Sequence, residues 1–277
     1  MTTIGRYEVE RELGEGGMAV VYAAHDPYVR RHVAIKVLAY QWTTDEMFRE
    51  YFQREAEVIA ALEHECIVPV FDFGWHGAQP YIVMRYMAGG SLENRLQEAQ
   101  IPLSTIATII GRVAAGLDAA HTSGIIHRDV KPSNVLFDSD EKAYLSDFGL
   151  AKLLARTGAD DESWLVGTPE YMSPEQVRGE EVDGRADIYG LGALLYRVLA
   201  DEVAFPGETT TLRVQAHVEK PVPDLTKIRP DLQSAWGEII RKAMAKAPGD
   251  RYATAGELAQ EVQEVASGRW YLRKLVM

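Results

Sequence analysis

The chain has 277 residues, long enough for one large domain or two lobes with separate cores. Apolar residues make up 47% and charged residues 25%, which fits a soluble globular chain and excludes a disordered or fibrous one. The 29 basic and 41 acidic residues leave a net charge of −12, which argues against a nucleic-acid backbone or an anionic membrane surface as main partner, because both need a basic face.

The opening residues, MTTIGRYEVERELG, contain no apolar signal segment. YEVERELG, AVVYAAHD and RHVAIKVLA alternate and predict three antiparallel strands, joined by a Gly-rich turn and by DPYVRR. Residues 45–62 change period. Phe48, Phe52, Ile59 and Leu62 recur at helical spacing, with Glu55 on the same stripe. A carboxylate there either meets a cation or reaches water at the stripe edge. The only cysteine, Cys66, reads as a reduced core thiol. CIVPVFDFGWHGAQPYIVMRY reads as strand, turn and strand, and MAGGSL as a flexible junction between lobes.

Ser104 is the expected cap of a long helix carrying Ile106, Ile110, Val113 and Leu117, with Gly124 ending it. ADIYGLGALLYRVLA is apolar on nearly all sides, as a central buried helix would be. Its run IYGLGALLYRVLA is too short to span a bilayer and contains Arg197, so no membrane span is expected in these residues. Further helices are expected near 233–246 and 254–266. A small β-rich lobe with one helix therefore precedes a larger helical lobe, and the cleft between two lobes is where a ligand is expected.

Four stretches carry chemistry. LGEGGMAVVY places Gly14 and Gly16 between two strands, where backbone N–H groups can approach an anion; the same glycines would serve a plain hairpin turn. VAIK follows on the next strand, so the Lys36 ammonium should face the interlobe space and could pair with Glu55. IIHRDVKPSNVLF crowds His127, Arg128, Asp129, Lys131 and Asn134 between apolar flanks. In YLSDFGLAK a strand ends at Asp147; Asp147 and Asn134 are hard oxygen donors suited to Mg2+.

With GTPEYMSPE, these motifs stand in the order of the protein kinase family, and the chain resembles a bacterial-type serine/threonine protein kinase over about residues 7–265. The resemblance implies an α+β, bilobal protein-kinase fold. An N-lobe would occupy residues 1–87, a C-lobe 88–267, and a tail or start of a linker 268–277. It implies that Gly14, Glu15, Gly16 and Gly17 cover the phosphates of ATP. Lys36 would contact the α- and β-phosphates and pair with Glu55. Asp129 would accept the substrate hydroxyl proton, Lys131 would stabilise the transferred phosphoryl, and Asn134 and Asp147 would hold Mg2+, for which Mn2+ could substitute. The adenine would lie between Leu13, Val21, Ala34 and Leu136, against the backbone of Arg85, Tyr86 and Met87, with Met84 as gatekeeper. Asp187 should anchor the catalytic loop, Arg251 should pair with Glu175, and Thr168 should contact the catalytic loop. One departure is Ala19 at the third glycine of the phosphate loop.

The implied activity is Mg·ATP-dependent transfer to Ser/Thr hydroxyls of proteins, probed against two alternatives: a nucleotide-binding pseudokinase scaffold and a small-molecule kinase. Intact Lys36, Asp129, Asn134 and Asp147 argue against the first, and GTPEYMSPE against the second. The resemblance implies a cytoplasmic location, either free or as the cytoplasmic part of a longer anchored protein. Dimerisation through the N-lobe is common in bacterial relatives, but the sequence shows no defensible patch for it. Asp160, Asp161 and Glu162 fall where relatives carry phosphorylated threonines. Either these acids replace the phosphate by pairing with Arg128 or Lys152, or they form a solvated loop switched at Ser163 or Thr157.

Overall fold

The computed structural model describes residues 2–16, 19–38, 46–148 and 168–269. The acids at 160–162, Thr157, Ser163, Lys152 and Gly17 lie outside them, as does the stretch from Trp270 onward.

Six antiparallel strands form the first lobe: β1 (Thr3–Ile4), β2 (Tyr7–Gly16), β3 (Ala19–Asp26), β4 (Arg31–Leu38), β5 (Val70–His76) and β6 (Gln79–Arg85), in the order β1-β2-β3-β4-β6-β5. Short connections make β1 to β4 neighbours in both sequence and sheet, whereas the long connection that carries residues 46–60 lets β6 take the place beside β4 and puts β5 at the edge. Gly14 and Gly16 lie inside β2, not in a turn beyond it, and two register irregularities bend the strand before them. Side chains alternate between faces with period two. Val33, Ile35 and Val37 pack with Tyr7, Tyr81 and Val83 on one face. Ala34 and Leu38 pack on the other with Met84 and with Phe52 and Ala56 of α1 (Glu46–Ala60). Lys36 shares this second face, which turns toward the interlobe cleft.

The second lobe is helical: α2 (Leu92–Glu98), α3 (Leu103–Thr122), α4 (Pro174–Val177), α5 (Arg185–Ala200), α6 (Thr210–Glu219), α7 (Leu225–Ile228), α8 (Ser234–Ala243) and α9 (Ala255–Ala266). A hairpin of β7 (Val135–Phe137) and β8 (Ala143–Leu145) lies at its upper edge. α3 and α5 form the centre of one core with Trp236, Ile239 and Ile240 of α8 and Leu258 and Val262 of α9. α5 is buried on nearly every side, as its composition required. α3 starts one residue before the expected cap: Pro102 occupies the cap position and Ser104 sits within the first turn, because the ring sets φ near the helical value. α3 is also long and apolar enough to cross a membrane by length and composition, but half of that stretch is buried inside the protein.

Two backbone seams join the lobes. Val68 N donates to Leu145 O at 2.9 Å, and Leu145 N donates to Cys66 O at 2.8 Å. Gly89 N donates to Phe137 O, and Phe137 N to Gly90 O, each at 2.9 Å. A Cβ on Gly89 would stand 2.7 Å from Asp138 O, so this junction needs glycine to let the strands approach.

Candidate active site

The cleft between the lobes encloses about 660 Å3, a volume suited to a nucleotide-sized ligand. Leu13, Val21, Ala34, Met84 and Leu136 give it apolar walls, and Arg85, Tyr86 and Met87 form its inner edge. Gly14, Glu15 and Gly16 lie above; Lys36, Asp129, Lys131, Asn134 and Asp147 converge at its polar end. Glu55 stands half-buried on α1 and does not line this cleft.

The loop between α3 and β7 is held from below. Asp187, buried at the start of α5, accepts His127 N at 2.8 Å and Arg128 N at 2.7 Å. Its Oδ2 also lies 2.7 Å from His121 Nε2. Burial works against an imidazolium at His121, but the Asp187 hydrogen bond and charge outweigh it and hold its pKa above the ordinary histidine value. A Cβ on Gly184 would meet the His121 ring at 2.7 Å, so glycine there makes room for this contact. The His127 ring contacts Ser146 O at 2.8 Å and meets Phe148 edge-on at 4.6 Å.

This scaffold fixes Asp129. Lys131 Nζ lies 2.6 Å from Asp129 Oδ2 and donates to Thr168 Oγ1 at 2.6 Å. Thr168 N donates to Asp129 Oδ1 at 3.2 Å, and Asn134 Nδ2 donates to Asp129 O at 2.8 Å and to Oδ2 at 3.1 Å. Burial pushes the Asp129 carboxyl up; the Lys131 ammonium and its hydrogen bond more than offset that, so its pKa lies below the ordinary carboxylate value. Asp129 is therefore an ionised acceptor near neutrality.

Across the cleft, Lys36 Nζ pairs with Asp147 Oδ1 at 2.8 Å. Asp147 has φ of +65°, a left-handed conformation uncommon for a side-chain-bearing residue, beside the fully packed Phe148. Asp147 and Asn134 present only oxygen donors beyond these bonds, a set that fits a hard divalent cation such as magnesium.

Farther out, the Arg251 guanidinium clasps the buried Glu175 carboxylate through two bonds of 2.5 and 2.7 Å. Residues 7–264 match the protein kinase domain family over the same stretch that builds this cleft. The chain belongs to the protein kinase family. Within it, the kinase domain is of the bacterial serine/threonine type: it is 41% identical to the serine/threonine-protein kinase PknJ of Mycobacterium tuberculosis over 259 residues, covering 91% of this chain and 44% of that protein. It is 36% identical to PknH of the same organism over 264 residues, covering 95% of this chain and 42% of PknH. The chain thus spans less than half the length of these curated relatives. The crystal structure of the Mycobacterium tuberculosis PknI kinase domain superposes with a TM-score of 0.76 at 32% identity, over 95% of this chain and 97% of that one.

Several contacts of the kinase domain were not foreseen. Arg85 was expected to act through its backbone. Its side chain also crosses to the second lobe, with Nη1 donating to Tyr144 Oη at 3.3 Å and Nη2 lying 3.5 Å from Asp138 Oδ2. Gly90, Ser91, Asn94 and Ser133 extend the cleft toward α2. Glu170 is joined to Arg213 of α6. Ser133 lies in IIHRDVKPSNVLF, Gly90 and Ser91 in MAGGSL and Glu170 in GTPEYMSPE, but nothing in those stretches singled these residues out.

Proposed function

We propose that this chain is the catalytic domain of a Mg·ATP-dependent protein serine/threonine kinase. It transfers the γ-phosphoryl of ATP to Ser/Thr hydroxyls of proteins, with its own chain among the acceptors. The observation that carries the reading is the position of Asp129, held between Lys131, Asn134 and Thr168 at the polar end of a cleft that also holds Lys36 and Asp147.

The adenine is taken between Leu13, Val21, Ala34 and Leu136, beside Met84 and against the backbone of Arg85 to Met87. The loop containing Gly14, Glu15, Gly16 and Gly17 lies over the phosphates. Lys36 contacts the α- and β-phosphates and is in turn positioned by Glu55. Asn134 and Asp147 hold the magnesium ion that, when bound, neutralises charge on the phosphates. Asp129 orients the acceptor hydroxyl and accepts its proton, while the Lys131 ammonium stabilises charge on the group in flight. Phosphoryl transfer asks mainly for such positioning and electrostatics, and this chain supplies both with side chains already locked by their neighbours. Thr168 belongs to the same lock, which favours a turning-over enzyme over a pseudokinase scaffold. The domain acts on the cytoplasmic side, where ATP is supplied, and pairs with a second copy through its N-lobe.

The test is an acceptor screen with γ-labelled ATP, using Ser, Thr and Tyr peptides, a generic protein and small alcohols. Label on Ser/Thr peptides and protein alone supports the reading. Label on small alcohols alone, or nucleotide binding with no transfer to anything, overturns it.

A further inference from the structure

The turn Pro169–Tyr171 follows directly on Thr168, whose hydroxyl takes the Lys131 hydrogen bond. Glu170 therefore stands two residues from a group that touches the catalytic aspartate's partner. Its carboxylate is not free. Arg213, in the first turn of α6, donates Nη1 to Glu170 Oε1 at 2.5 Å. Arg213 Nε also donates to Gly207 O at 2.8 Å, which fixes the direction of the guanidinium. A Cβ on Gly207 would lie 3.2 Å from Arg213 Cγ, so the glycine leaves room for the arginine stem. Both partners keep contact with solvent, with side-chain exposures of 34% for Arg213 and 18% for Glu170.

Resting on the kinase reading, an acceptor hydroxyl must come within hydrogen-bond reach of Asp129. An extended peptide advances about 3.3 Å per residue, so residues close to the acceptor pass along the Thr168–Tyr171 lip. A free carboxylate on that lip would draw a Lys or Arg side chain of the substrate. A carboxylate already matched by an arginine presents little net charge to it.

We propose that Arg213 is a specificity-determining residue: by neutralising Glu170 it keeps the acceptor lip from selecting basic side chains, so the position beside Glu170 takes uncharged residues. Discrimination here works by cancelling an attraction, not by adding a contact. Besides Glu170 itself, the Tyr171 phenol, pushed up chiefly by burial, feels Glu93 of α2 and Arg197 of α5. Those two charges are common to every variant below and drop out of the comparison.

The experiment uses the full chain with a positional library of Ser/Thr peptides. At each flanking position it reads the ratio of kcat/KM for Lys-containing to Ala-containing peptides. Because each enzyme is compared with itself, partial loss of folded protein cancels. The wild type is expected to show a ratio near one at the position meeting Glu170. Arg213→Ala should raise it about fivefold, the size supported by a part-exposed charge pair. Glu170→Gln should instead raise the corresponding ratio for Glu-containing to Ala-containing peptides by a similar factor at the same position, and Arg213→Lys should keep the wild-type profile in both ratios. Ratios that stay unchanged in both Arg213→Ala and Glu170→Gln overturn the inference while leaving the kinase reading intact. A wild type that labels no peptide and no protein overturns the kinase reading, and this inference with it.

Discussion

Removing the charge of Arg251 while keeping most of its bulk, as in Arg251→Met, has a cost that follows from its contacts. The guanidinium and the Glu175 carboxylate have side-chain exposures of 0% and 4%. Besides the two bonds to Glu175, Arg251 donates to Ala245 O at 2.8 Å, Arg185 O at 2.8 Å and Lys246 O at 3.2 Å. It thereby ties α4 to α5 and to the loop after α8. Leaving a buried carboxylate without its cation costs about 3–5 kcal/mol, and the orphaned carbonyls act in the same direction. In a domain of this size each kcal/mol lowers Tm by about 2–4 °C, so a fall on the order of 10 °C is expected. The pH dependence has a definite sign. Burial alone would raise the Glu175 pKa; the Arg251 bonds and charge override it and hold it below the ordinary carboxylate value. The wild-type pair therefore stabilises fully above the unfolded carboxylate pKa and loses its contribution as pH falls through the folded one. In the variant burial acts unopposed, Glu175 takes up a proton more readily, and the penalty eases in acid. Thermal melts and urea titrations between about pH 7.5 and about pH 4.5 should show a gap between wild type and variant that is widest at neutrality and narrows downward. Adding Glu175→Gln to the variant should recover part of the loss. A neutral-pH fall below about 2 °C, or a gap independent of pH, would refute the reasoning.

Other expectations follow from single contacts. A Cβ on Gly192 of α5 would stand 2.7 Å from Ala243 Cβ and 3.0 Å from Met244 Cγ, so Gly192→Ala should cost about 1–3 kcal/mol in urea titrations; an unchanged midpoint would contradict the close helix approach. Thr168→Val keeps shape but removes the hydroxyl that receives Lys131, and should lower kcat/KM roughly tenfold to a hundredfold, with Thr168→Ser close to wild type. Chelation by EDTA should abolish transfer, and added magnesium should restore it if Asn134 and Asp147 hold the metal.

Much of the fold was legible because the signals are short-ranged. Alternation in YEVERELG, AVVYAAHD and RHVAIKVLA set three strands and the face of Lys36, and ADIYGLGALLYRVLA announced a buried helix by having no polar side. The polar convergence at Asp129, Lys131, Asn134 and Asp147 was likewise carried by residues close in sequence. α6 escaped notice because its buried apolar residues, Val214 and Ala216, are not at helical spacing, its third buried residue is His217, and its start is set by the Thr209 side chain. Pairs across long separations were illegible where no family motif named them. Arg213 meets Glu170 across 43 residues, and Arg85 meets Asp138 across 53. Their encounter depends on how helices and hairpins stack, which no local pattern encodes.

The central claim is that Asp129 is the acceptor of the hydroxyl proton in a working phosphoryl transfer. Intact-mass spectrometry of the purified chain and of Asp129→Asn, each incubated with Mg·ATP and a generic protein substrate, tests it most directly. The account predicts phosphate-sized mass steps on chain or substrate with the wild type, and none with Asp129→Asn. Equal phosphate incorporation by both, or none by the wild type on either protein, would contradict it.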